Sequence, residues 1–428
     1  MSSANHPFEQ WSRLVGGPWN EGPVPWRRGV LAGEQLRTLV TNGYIKNMRE
    51  NEIELCEASL DLQISDEAYE LKDGSIKPFQ GESYRSQTLS TTGHEQILPQ
   101  DGYFFLKREK TYVFRAVQSL DVAKLFGAPI YGQATAKSTV GRVDALVRLI
   151  LDGCGTYEYF DPTVFRRSNG EFFIEVTPFS FDLRIPKGSK LNQLRLFIGS
   201  PSECEIKGDE FWRYTILHAD RRYPAKPRLS LNLSAISTPL GKTSVVASAF
   251  RAINEGEPEP IRLSTGANDP EKFFRPVRAA YSNEGERADI NPAVNKCSIQ
   301  VQNGGFYIMR SLERLCLPPT VAVYVRATNE TLGELRIHYA GFVHPWFGWQ
   351  PIKDSGDPGD QADGEQARRG TPLIFEVRGY GGTVKLRHGE VVAKLEFYEM
   401  SQATEKPEPT DDDYTFQELK LSKVFRGK

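Results

Sequence analysis

Ala136-Lys137-Ser138-Thr139-Val140-Gly141-Arg142-Val143-Asp144 decides how the rest of the chain is read. It sets two cations, two hydroxyls and a glycine in one short turn. Lys137 and Arg142 supply fixed positive charge, Ser138 and Thr139 supply further donors, and Gly141 lets the backbone come close. Together they suit a phosphate cradle. A Walker loop is excluded, because the Gly-x-x-x-x-Gly-Lys spacing is absent. Without context the same residues also fit a surface turn with solvated charges. Two later segments bear on that choice, Tyr159-Phe160-Asp161-Pro162 and Glu171-Phe172-Phe173-Ile174-Glu175-Val176.

The second of these is an apolar strand with one carboxylate inside it. Alternation puts Phe173, Glu175 and Thr177 on one face. A carboxylate on an enclosed face is costly unless it is paired or functional, and desolvation there raises its pKa toward the range useful for proton transfer. The competing reading is a salt bridge to Arg142 or Arg148.

Short β-branched or alternating runs broken by Gly, Pro, Asn and Asp recur along the chain. Examples are Leu60 to Ile64, Lys190 to Leu196 and Leu229 to Leu233. Ser168-Asn169-Gly170 reads as a hairpin turn, and helices are expected at Ala32 to Val40 and Ser119 to Phe126. The chain also repeats itself at an offset of about 200 residues, which suits duplication of a whole domain. Gly102-Tyr103-Phe104-Phe105-Leu106 matches Gly305-Phe306-Tyr307-Ile308-Met309, and Ile174-Glu175-Val176 matches Phe375-Glu376-Val377.

Length and composition set outer bounds. At 428 residues two or three domains are expected. A formal charge of −2 gives no basic field for a nucleic-acid polymer. Five scattered cysteines read as reduced thiols, no apolar run nears the roughly 20 residues of a membrane span, and Met1 to Arg28 does not read as a signal peptide. A cytoplasmic protein is expected. Lys353 to Gly370 is expected to be a disordered insertion, and Ser401 to Asp413 a tether to an ordered tail.

In their order these segments resemble the dCTP deaminase family of the dUTPase-like superfamily, in its long tandem two-domain bacterial form, with a longer spacer from Arg142 to Asp161 and no glycine after Asp161-Pro162. Ala58-Ser59-Leu60-Asp61-Leu62 is similar to the family's early Ser-x-Asp-Leu strand. Lys137, Ser138, Thr139 and Arg142 fall on its Gly-Arg-Ser-Ser-x-x-Arg phosphate motif, with lysine replacing arginine. Asp161-Pro162 falls on the turn whose aspartate supports the deoxyribose, with Tyr159 in place of an arginine, and Glu175 falls on the catalytic glutamate. Gly188 to Leu194, which carries Gln193, resembles the strand that follows. Tyr414-Thr415-Phe416-Gln417, with Lys423 beyond it, resembles the family's closing tail and suits a lid.

In the second half, His338-Tyr339-Ala340-Gly341-Phe342-Val343-His344-Pro345-Trp346-Phe347-Gly348 resembles the family's His-x-Ala-Gly-Phe-x-Asp-Pro-Gly-Phe-Gly turn. His344 there replaces aspartate and Trp346 replaces glycine. Arg326 to Thr331 holds the phosphate-motif position without its serines or second arginine. Glu376 stands where a catalytic glutamate would be. This half reads as a degenerate barrel that scaffolds and completes the neighbouring site.

The resemblance implies an all-β protein of two tandem dUTPase-like β-barrel (β-clip) domains with a few short helices. The expected boundaries are an extension over 1–28, a nucleotide-site domain over 29–213, a linker over 214–228, a degenerate domain over 229–400, and a tether and lid over 401–428. It implies zinc-independent deamination of dCTP to dUTP and ammonia, with Glu175 as base, Mg²⁺ on the triphosphate, and a homo-oligomer, trimer favoured. The paired zinc-deaminase signature of His-x-Glu with Pro-Cys-x-x-Cys is absent. Binding would involve Lys137, Ser138, Thr139, Arg142, Tyr159, Asp161, Gln193, Tyr414, Gln417 and Lys423. A dUTP or dCTP diphosphatase using Asp161, and a non-catalytic nucleotide-binding assembly protein, remain the alternatives.

Overall fold

The computed structural model describes residues 18–21, 25–79, 81–208, 211–212, 215–217, 226–256, 258–281, 297–327, 335–337, 341–349, 370–406 and 417–427. Two large antiparallel sheets dominate, one from each half of the chain. In the first, neighbouring strands run in the order Ala145–Leu151, Glu171–Pro178, Thr111–Leu120, Leu60–Leu71, Lys190–Ile198, Ile130–Ala136 and Tyr159–Phe160. In the second the order is Leu335–Ile337, Thr371–Gly379, Phe306–Leu315, Arg228–Asn232, Val391–Glu399, Val321–Ala327 and Phe342–Val343. Strand for strand the two orders agree, so the chain is a duplicated barrel.

That correspondence keeps one sequence repeat and corrects the other. Glu171–Pro178 and Thr371–Gly379 are equivalent, which aligns Glu175 with Glu376. Tyr103–Leu106 is not the counterpart of Phe306–Leu315. It pairs with Leu183–Pro186 in a small separate sheet, whereas Phe306–Leu315 matches Thr111–Leu120. Both runs are aromatic and follow glycine, which is all the local likeness amounts to.

Three local expectations also change. Helix Gly33–Thr41 forms nearly as read, burying Leu36 and Leu39. Ser119 and Leu120, however, complete a strand by pairing with Ile45 and Lys46, so only Val122–Leu125 is helical, capped by Asp121. Ser168-Asn169-Gly170 is no hairpin. It follows the turn of 3-10 helix Pro162–Arg166, and the strand after it pairs with Thr111–Leu120 and Ala145–Leu151.

The halves are also more interleaved than the expected boundaries. Trp19, in the extension, is buried and packs edge-on against Tyr44. Ile216–Leu217, in the expected linker, already belongs to the second sheet, and Ile261–Arg262 adds a parallel strand to Leu183–Pro186 of the first half. Ser401, at the start of the expected tether, is buried and donates to the Arg27 carbonyl at 2.6 Å. The insertion at 353–369 lies outside the described residues.

Between the barrels, Val30, Phe197, Ala322 and Tyr398 form an apolar cluster, with the Phe197 and Tyr398 rings 5.3 Å apart and edge to face. Burying each large apolar side chain contributes about 1.5–3 kcal/mol. Arg195 is fully buried among them. It donates to the carbonyls of Val323 at 2.7 Å and Val343 at 2.8 Å and lies 4.0 Å from the Phe342 ring. Those partners offset the cost of a buried cation and tie the first barrel to the second.

Candidate active site

Strand alternation explains which side chains meet between the barrels. On Thr371–Gly379, Leu373, Phe375 and Val377 point into the second core, so Ile374, Glu376 and Arg378 face the opposite way. That outward face is covered by the first barrel. Ile374 joins the first barrel's core cluster, and Arg378 forms a buried ion pair with Asp144, whose Oδ2 also accepts from Ser180. Glu376, between them, abuts the turn that carries the phosphate-type residues. A Cβ on Gly141 would stand 2.5 Å from Glu376 Oε2.

A cavity of about 260 Å³ opens here. Lys137, Ser138, Thr139, Arg142 and Gln193 reach it from the first barrel, Gln417 and Lys423 from the C-terminal tail. The second barrel contributes Phe342, His344, Trp346 and Glu376. Lys137 is ion-paired to Asp61, which also accepts from Gln193 at 3.3 Å. Arg142 is 4% exposed and donates to Gln417 Oε1 at 2.8 Å and to the Lys420 carbonyl at 3.3 Å. Ser422 donates to the Thr139 carbonyl at 2.8 Å, while Leu419, Leu421, Val424 and Phe425 are buried in the first barrel's core. The tail is thus docked over the phosphate-type turn. Tyr414 lies outside the described residues.

Glu175 does not line this cavity. Its face of the strand is covered within its own barrel by Tyr84 and by Tyr157, which lies under Arg148 at 3.8 Å. Glu175 Oε1 accepts from Arg148 Nη2 at 2.5 Å and Nε at 3.1 Å, and Oε2 accepts from the Tyr157 hydroxyl at 3.2 Å. The salt bridge is therefore what this chain forms, and the structure places Glu175 away from the phosphate-type turn. The equivalent strand position that does face a cavity is Glu376.

Tyr159 and Asp161 also sit elsewhere, in a separate cavity of about 590 Å³ with Lys77, Phe79, Arg166 and Arg167. Asp161 caps its own turn, accepting from the Thr163 amide at 2.8 Å and the Thr163 hydroxyl at 2.5 Å.

Among the cavity groups, Glu57 was not singled out by the sequence. Glu57 stands beside Lys137, and its carboxyl is pushed up to about 7, first by burial and then by the Asp61 charge, against the pull of Lys137. The His344 imidazole is pushed down to about 3 by burial and by the nearby charges of Arg195 and Lys137, so it is neutral at ordinary pH. A carboxylate in the Ser-x-Asp-Leu neighbourhood, two residues before Ser59, was the available signal for Glu57.

Fold and cavity together define a tandem β-barrel protein with a cationic, carboxylate-bearing pocket between its barrels. The profile of the 2'-deoxycytidine 5'-triphosphate deaminase N-terminal domain matches residues 27–200, and that of the C-terminal domain matches residues 288–425. The chain belongs to the 2'-deoxycytidine 5'-triphosphate deaminase family. No curated relative matches it by sequence. Among solved structures, the crystal structure of 2'-deoxycytidine 5'-triphosphate deaminase from Agrobacterium tumefaciens is similar at a TM-score of 0.67 and 22% identity, covering 87% of this chain and 99% of that one. At that identity the likeness speaks for the fold.

Proposed function

We propose that the cavity between the barrels hydrolyses dCTP to dUTP and ammonia, with Glu376 as the base. The observation that carries this reading is the meeting of Glu376, from one barrel, with Lys137, Ser138, Thr139 and Arg142, from the other. Lys137, Arg142 and Lys423, with the two hydroxyls, hold the triphosphate, which carries Mg²⁺. Glu376 takes a proton from water and delivers it to N3 as the oxygen adds to cytosine C4. The carboxylate then takes the proton of the new C4 hydroxyl and passes it to the 4-amino group, the C4–N4 bond breaks, and ammonia leaves. Dissolving dCTP and Mg²⁺ with the protein and separating dUTP, dUMP and dCMP tests this. Formation of dUTP with equimolar ammonia is expected, whereas dCMP or dUMP alone would mean phosphate-chain hydrolysis.

The enzyme acts in the cytoplasm as a homo-oligomer, with a trimer favoured. Support comes from the Tyr159–Phe160 strand, the first-barrel counterpart of Phe342–Val343. Its neighbourhood leaves Phe79 77% and Tyr159 38% exposed around a cavity, whereas the second-barrel counterpart is covered by the first barrel. Light scattering of an active preparation tests this, and a monomeric mass contradicts it.

A further inference from the structure

We propose that Trp346 is a specificity residue whose indole N–H donates to a neutral acceptor on the nucleoside half of the bound nucleotide, beside the His344 imidazole. This rests on the reading of the cavity as a nucleotide site. Trp346 has φ +68°, a left-handed conformation that a bulky aromatic residue rarely adopts and a glycine adopts freely. Such strain persists where the surroundings hold it in place, and it concentrates at functional positions. The Trp349 ring packs against the Trp346 ring, 6.2 Å away and edge to face.

Hydrogen bonding points the same way. Among the described residues, Trp346 Nε1 and His344 Nδ1 are both buried with no hydrogen-bond partner. A buried orphan donor costs free energy until something supplies an acceptor. Both side chains line the nucleotide cavity, so an acceptor on a ligand satisfies the indole N–H, and a polar ligand group the imidazole Nδ1, where the protein does not. Which part of the ligand follows from charge. The cations Lys137, Arg142 and Lys423 come from the first barrel and the tail and match the phosphates. The second barrel's His344-Pro345-Trp346 turn offers only uncharged groups, which match the base and sugar. A pure packing role for Trp346 would need the ring but not its N–H.

The test uses the full chain with Trp346→Phe, which keeps a ring and deletes the donor, and Trp346→Gly, which fits the backbone conformation. Each is titrated by calorimetry with dCTP and with inorganic tripolyphosphate, and assayed for kcat and KM. Trp346→Phe is expected to weaken dCTP binding about 3–10-fold, the share of one hydrogen bond, while tripolyphosphate binding and kcat stay near wild type. Trp346→Gly loses more dCTP affinity with tripolyphosphate still unchanged. Wild-type dCTP affinity in Trp346→Phe, or equal losses for both ligands, overturns the proposal. Wild-type protein that binds dCTP without releasing ammonia sinks the deaminase reading alone, since the binding comparison still judges Trp346. Wild-type protein that does not bind dCTP sinks both.

Discussion

Gly141, in the first barrel, faces the carboxylate of Glu376, in the second, so closely that an added methyl group would stand 2.5 Å from Oε2 and 2.9 Å from Oε1. The atoms it would meet are the far end of a flexible side chain, so the fold can yield there cheaply. The carboxylate cannot yield without leaving its place. Gly141→Ala should therefore keep a Tm within a few degrees of wild type while kcat for ammonia release falls on the order of 10²-fold, since a misplacement of about 1 Å costs that much. A Gly141→Ala protein with full kcat would separate Glu376 from the chemistry.

Glu376 and Glu175 should fail in different ways when amidated. Glu376→Gln removes the proposed base, and a loss of about 10² to 10⁴ in kcat is expected with dCTP still bound. Glu175→Gln instead leaves Arg148 without its ionic partner on a nearly buried face, a cost of about 1–3 kcal/mol in stability. Its kcat should stay near wild type below its lowered Tm. Thermal melts beside ammonia assays for both variants decide the assignment.

These two carboxylates also show how far the sequence is legible. Ile174-Glu175-Val176 and Phe375-Glu376-Val377 have the same local pattern, and alternation places both glutamates on the face away from their own core. What covers that face is a tertiary fact. Tyr84, Tyr157 and Arg148 cover Glu175 from within its barrel, whereas the Lys137–Arg142 turn of the other barrel covers Glu376. Strand Leu60–Leu71 was readable because burial imposes a period of two over its first half, whereas Lys190–Ile198 is buried on both faces and was readable from its residue pattern alone. Phosphate-type residues were readable because their charges and hydroxyls are contiguous. Trp346 was readable only as a missing glycine, because its φ and its orphan indole exist only in the folded chain.

Arg142 joins the phosphate-type turn to the tail, so its loss should be felt twice. It bonds Gln417 and the Lys420 carbonyl, and Ser422 is bonded to the neighbouring Thr139 carbonyl. Arg142→Ala is expected to weaken dCTP binding by about 2–5 kcal/mol, the range for a buried charged contact. It should also speed amide exchange across residues 417–422. Thr139→Ala, which keeps its carbonyl bond to Ser422, should leave that exchange unchanged. Equal protection of the tail in Arg142→Ala and wild type would show that the tail is held by its apolar side chains alone.

Turnover should not depend on zinc. Among the described residues no group of three or more His, Cys, Asp or Glu is placed to hold a metal ion, and the proposed base is a carboxylate. Dialysis against a zinc-selective chelator, followed by Mg²⁺, should restore full ammonia release. Activity that returns only with zinc would replace this mechanism.

Glu57 should make both stability and nucleotide affinity depend on pH. Its carboxyl rises from 4.5 to about 7, chiefly through burial, with Asp61 and Glu54 pushing it up and Lys137 and Lys190 pulling it down. Below pH 4.5 the group is protonated whether the chain is folded or not, and contributes no slope. Between 4.5 and about 7 the folded protein keeps a proton that the unfolded chain has released, so the stability linked to this residue is lost as pH rises through that window. Above it both states are ionised and the slope ends. A triphosphate entering the same cavity opposes ionisation further, because like charges disfavour it. Binding of dCTP should therefore take up a proton at Glu57, and affinity should fall as pH rises from 6 to 8, beyond any change due to the phosphates themselves. Glu57→Gln removes the protein's share of that slope, and its dCTP affinity at pH 8 should exceed that of wild type. Titrations of both proteins at pH 6, 7 and 8 measure the difference, and parallel slopes would show that Glu57 does not face the bound phosphates.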